Sequence, residues 1–111
     1  MNIVLPQHKL HAYGVARELY DCVCSARIRG AHLRDQAERA AESCVLNVAE
    51  GAGRVTRADK ARVFAIARAE CVEALAAIEI AAARGLANAE AFERAAVVGN
   101  RLYAMLTRLI R

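Results

Sequence analysis

Apolar residues recur along this chain with a helical period, and a few punctuation residues cut the period into four segments. Over 7–29, Tyr13, Ala16, Tyr20 and Val23 share one face and Ala12, Val15, Leu19, Cys22 and Ala26 an adjoining one. His11, Arg17, Glu18, Asp21 and Ser25 keep the remaining arc. Pro6 stands where a helix begins and a missing N–H costs little, and Gly30 is the expected stop. A second helix is predicted over 32–50, with Leu33, Ala37, Ala40, Ala41, Cys44 and Val48 in one stripe and Gly51 as the left-handed residue that ends it. Thr56 is a natural N-cap, with Asp59 three residues on as a short-armed capping-box partner. The third helix runs over 56–84, and Gly85 followed by Leu86 fits a Schellman ending. Asn88 caps a fourth, over 88–110, where Phe92, Ala95, Ala96, Gly99, Leu102, Tyr103, Leu106, Leu109 and Ile110 hold the spacing.

Short connections force successive helices antiparallel, so the expected fold is all-α: an up-down-up-down four-helix bundle forming a single domain over 1–111. The third helix carries more apolar surface than such a bundle needs. Val63, Ala67, Cys71, Ala74, Ile78 and Ala81 form one face, while Ala58, Ala65, Ala69, Val72, Ala76 and Ala83 form another on roughly the opposite side. The surplus is accounted for by contact with a second copy, so a homo-oligomer is expected.

Composition narrows the chemistry. The 111 residues hold one Pro, no Trp and six Gly, a helix-forming make-up that fits one core. No apolar run is long enough to span a membrane, and the first residues lack the basic flank of a signal peptide, which points to the cytoplasm. Cys22, Cys24, Cys44 and Cys71 each lie among apolar residues, and thiols two apart on a helix point about 200° apart. They read as buried reduced thiols, because a zinc site with His8 and His11 would need a ligand spacing the chain lacks. Glu70 and Glu73 share a helical sector with Asp59 and Arg62, and without Glu-x-x-His motifs they form an ion-pair edge, not a diiron site. No catalytic residue, metal or cofactor is expected.

The stretch SCVLNVAEGAGR, at 43–54, lacks the Lys-Ser or Lys-Thr pair of a phosphate loop, and its glycines follow a helix where a phosphate cradle would precede one. Gln36, Arg39, Ser43, Asn47 and Glu50 form a narrow polar stripe beside the apolar face, expected to be an internal hydrogen-bond network that sets helix register. Over 33–54, Leu33, Gln36, Ser43, Asn47, Ala49, Glu50, Gly51 and Arg54 resemble the signature of the four-helix-bundle family of 23S ribosomal RNA intervening-sequence proteins, related to accessory proteins of diversity-generating retroelements. In the third helix the family tends toward Gly-Ser where this chain has Glu70-Cys71. The resemblance implies an up-and-down bundle that assembles into a ring, pentameric in members of known structure, with no enzymatic activity.

The formal charge is +4, unevenly placed. Arg54, Arg57, Lys60, Arg62 and Arg68 gather at the start of the third helix, and Arg94, Arg101 and Arg108 recur every seven residues on the fourth, with a local Glu90–Arg94 pair expected. Repeated around an oligomer, these residues would hold a nucleic acid by its phosphates without reading bases. A ring-shaped adaptor for a protein partner is the competing reading.

Overall fold

The computed structural model describes residues 4–111. A 3-10 turn, Pro6–Lys9, precedes four helices: α1 (His11–Ser25), α2 (Ala31–Gly53), α3 (Arg57–Ala83) and α4 (Ala89–Ile110). The helices pack as a closed square in which each touches the next and α4 returns to α1. Neighbours run antiparallel. Cys71 meets Gly99 and Arg68 meets Thr107 across α3 and α4, while Arg101 faces Glu18 across α4 and α1. One core cluster draws on all four helices.

That core is built from small residues. Leu19, Ile28, Ile78, Leu102 and Leu106 are its largest fully buried side chains, set among many alanines, and no polar or charged described residue is buried. Small side chains let backbones approach closely. The face of α3 from Val63 to Ala81 is buried, whereas Ala58, Ala69, Val72, Ala76 and Ala83 are exposed and Ala65 is half-buried. Among the described residues no helix is long and apolar enough to cross a membrane.

Several helix ends differ from expectation. The first helix starts at His11 because Leu10 is extended (φ −102°, ψ 117°), which turns Leu10 onto the core and sets Pro6–Lys9 as a separate turn. It stops at Ser25, well before Gly30. Arg27 takes the left-handed conformation (φ 48°) in place of a glycine, and Ile28 behind it is buried. Gly30 is instead the extended N-cap of α2, its carbonyl accepting from the Arg34 N–H at 2.9 Å.

Gly51 is likewise no stop: α2 continues through it to Gly53 with ordinary helical backbone. Its lack of a side chain has another cause. A Cβ there would lie 2.7 Å from Cδ1 and Cε1 of the buried Phe64, so residue 51 must be glycine for α3 to approach α2.

The remaining signals are met. Gly85 has φ +73°, its N–H donates to the Ala82 carbonyl and the Leu86 N–H to that of Ala81, which completes the Schellman pattern. Thr56 Oγ1 accepts from the Asp59 N–H (3.1 Å) and Asn88 Oδ1 from the Glu90 N–H (2.8 Å). Only half of the expected capping box forms, since the Asp59 carboxylate turns to arginines. The Arg29 N–H donates to the Leu86 carbonyl (2.8 Å) and its guanidinium to that of Gly85, tying the α1–α2 connection to the α3–α4 turn.

Candidate functional site

The polar stripe of α2 separates into three parts. Gln36 and Arg39 are exposed and, with His32, Asp35 and Glu73, line a groove of about 400 Å³ between α2 and α3. Glu73 therefore stands apart from Asp59 and Arg62. Ser43 and Asn47 are half-buried, and Asn47 Nδ2 donates to the Ser43 carbonyl (2.9 Å) and Oγ (3.1 Å) within the same helix. Glu50 is exposed and pairs with Arg54 (3.0 Å), which reaches Asp59 (3.4 Å), which in turn holds Arg62 (2.9 Å). An internal network was expected. The stripe instead makes one intrahelical contact and a surface ion-pair chain that bridges the α2–α3 turn, because its outer members lie on the rim where α2 meets water.

That chain also absorbs much of the basic cluster expected at the start of α3. Arg54 and Arg62 face carboxylates, Lys60 Nζ donates to the Ala52 carbonyl at the end of α2 (2.8 Å), and Arg57 donates to the carbonyl of Arg111 (2.7 Å). Arg68 leaves the cluster altogether. It bonds Thr107 Oγ1 (3.1 Å) and lies 5.2 Å from the centre of the Tyr103 ring.

The α4 arginines are placed differently. Arg94, Arg101 and Arg108 are all exposed, and they follow the seam where α4 meets α1. Arg94 lies near Cys22, whose thiol burial pushes up and Arg94 pulls partly back. Arg101 stands 3.8 Å from Glu18, and Arg108 shares an apolar-floored groove with His11. The Glu90–Arg94 pair does not form among the described residues.

At the Arg101 position the seam opens into a groove of about 550 Å³ lined by His8, Lys9, His11, Tyr13, Gly14, Arg17, Glu18 and Arg101, among others. The His8 ring meets Tyr13 edge-on at 5.9 Å, and the Arg17 guanidinium lies 6.0 Å from the centre of the Tyr13 ring. His8 is held by the turn, its Nδ1 accepting from the Leu5 N–H (3.1 Å). The sequence puts Tyr13 on an apolar face and Arg17 on a solvated arc, and gives no sign that both line one groove with Arg101. The available signal was five cationic or imidazole side chains, His8, Lys9, His11, Arg17 and the heptad-spaced Arg101, around one tyrosine.

The thiols divide into a buried pair and a half-buried pair. Cys44 and Cys71 are fully buried side by side, and Cys71 Sγ donates to the Gly99 carbonyl (3.5 Å). The neighbouring Cys71 thiol and then burial push the Cys44 thiol far up. Cys22 and Cys24, expected to be buried, are only half-buried at the flanks of α1, each raised chiefly by burial.

A family model described as 23S rRNA-intervening sequence protein matches residues 9–108, and the chain belongs to that family. Comparison with curated proteins gives no match.

Proposed function

We propose that this member of the family is a non-enzymatic, oligomeric four-helix bundle that holds nucleic acid by its phosphates along the α1–α4 seam, without reading base sequence. The observation that carries the reading is the alignment of Arg94, Arg101 and Arg108 along one exposed seam, joined there by Lys9 and Arg17. Cations spaced along a groove track a phosphate backbone, and their field adds up when copies assemble. The family's description contains a ribosomal RNA element, which favours RNA as the polyanion. Arg54, Arg57, Lys60 and Arg62 contribute less, because carboxylates and helix-end carbonyls already engage them.

A salt titration tests it. Log affinity should fall linearly with log salt, and Arg101→Glu with Arg108→Glu should weaken binding and reduce the slope by roughly 2, about 1 per lost phosphate contact. Absence of binding at low salt, or binding that ignores both substitutions, overturns the reading.

A second reading, an assembled scaffold for a protein partner, rests on the outer face of α3. Ile66, Val72 and Ile80 are exposed there beside Ala69 and Ala76. Contact between copies through this face leaves the α1–α4 seam open, since α3 and α1 are not neighbours in the square. Light scattering should give a multiple of 12.0 kDa, five-fold in the pentameric case, and Ala69→Glu or Ala76→Glu should break it. A monomer at micromolar concentration removes the oligomer.

A further inference from the structure

We propose that the groove around Tyr13 is a base-stacking site that makes this chain prefer single-stranded nucleic acid over duplex. The inference rests on the phosphate-binding reading of the α1–α4 seam and adds a ligand class to it.

Phosphate contacts alone do not require an aromatic residue, yet one of the chain's three tyrosines stands in the most cationic groove of the seam. Tyr103 has Arg68 over its ring, and Tyr20 lies on the α1–α2 side, against Glu42 and Val45. Tyr13 is half-buried, packed in part against the core, and only its polar neighbours are loosely placed. Arg17 at 6.0 Å is at the outer limit of a cation–π contact, and the His8 ring meets Tyr13 in a T-shaped arrangement at 5.9 Å. Arg17, an exposed side chain, can swing aside or close over an inserted planar group, while His8 stays held by the turn. The wall next to Tyr13 is bare as well: Gly14 is exposed and helical, and nothing lies within 4 Å of where its Cβ would stand. A flat ring can therefore slide over the backbone at residue 14 to reach Tyr13.

The dimensions and charges suit a nucleotide. About 550 Å³ lies within the range of small-ligand sites, roughly 300–1,000 Å³. Lys9, Arg17 and Arg101 offer cations around the ring, and Glu18, already facing Arg101, is the one carboxylate among the described lining residues. A strand lying along the seam would place phosphates on Arg101 and Arg108 and turn one base inward onto Tyr13. Only an unpaired base can do this. Duplex bases are stacked on one another, so a duplex gains the arginines and not the tyrosine.

The test compares a labelled short oligouridylate with an RNA duplex of equal length by fluorescence anisotropy, using the intact chain. The wild type should bind the single strand roughly tenfold more tightly, the scale of one base–aromatic stack. Tyr13→Leu should abolish that difference while leaving duplex affinity unchanged, and Tyr13→Phe should retain it. Gly14→Leu, which fills the groove from an exposed helical position, should weaken single-strand binding alone and serves if Tyr13→Leu fails to fold. Equal affinity of the wild type for both polymers, or equal losses on both in Tyr13→Leu and Gly14→Leu, overturns the stacking site and leaves the phosphate reading standing. If neither polymer binds, both fall.

Discussion

The ring of Phe64 occupies the space that a side chain on residue 51 would need, with Cδ1 and Cε1 both 2.7 Å from the position of a Cβ there. Gly51→Ala should therefore destabilise the bundle. A helical Gly→Ala change gains up to about 1 kcal/mol from propensity, but forcing a buried ring aside costs about 1 to 3 kcal/mol. Urea denaturation should show a net loss, and adding Phe64→Leu should recover part of it. Additive losses in the double variant would show that the two residues do not compete for the same space.

Arg27 offers the opposite case. Its left-handed backbone costs a side-chain-bearing residue about 1 to 2 kcal/mol, more than the roughly 0.5 to 1 kcal/mol of extra chain entropy a glycine loses. Arg27→Gly is expected to raise stability by about 0.5 to 1 kcal/mol, visible as a higher melting temperature. An unchanged or lower value contradicts this account of the α1 ending.

Asn47 is half-buried and, among the described residues, its side chain bonds within its own helix. Asn47→Ala should cost about 0.5 to 1.5 kcal/mol, the scale of an ordinary hydrogen bond, and leave nucleic-acid affinity unchanged. A normal melting curve with lost binding would instead make Asn47 a ligand contact.

The thiols should divide by burial. Cys22 and Cys24 carry thiols raised above the ordinary cysteine value, so less thiolate is present at a given pH and alkylation near pH 8 should lag behind that of free cysteine, accelerating as pH rises. Cys44 and Cys71 should stay silent until the chain unfolds. Ellman titration would count two accessible thiols in the native protein and four in denaturant; four fast thiols in the native protein would contradict the buried pair.

What could be read from the sequence follows the range of the interactions. Thr56, Gly85, Leu86 and Asn88 declare themselves because each cap is settled within a few residues. The buried faces of α2 and α3 declare themselves because period alone decides them. Gly51 misleads: its reason is Phe64, thirteen positions away and on another helix, and locally it is indistinguishable from a terminator. Gly30 and Arg27 mislead together, since burying Ile28 is what makes the left-handed arginine tolerable. The α1–α4 groove was out of reach for the same reason. Tyr13 and Arg101 come to line one groove only when the first and last helices close the square.

The tie between the two connections at one end of the bundle constrains how the chain comes apart. The Arg29 N–H to Leu86 carbonyl bond joins main chain to main chain across 57 positions, so no side-chain substitution removes it and only proline at position 29 would. The α1–α2 and α3–α4 hairpins cannot fray apart at that end without leaving this pair to solvent. At the other end Lys60 of α3 holds the last turn of α2. Opening is therefore shared between the halves. In native-state hydrogen exchange the two hairpins should therefore open as one cooperative unit, and a ligand seated between α1 and α4 should slow exchange in α2 and α3 as well.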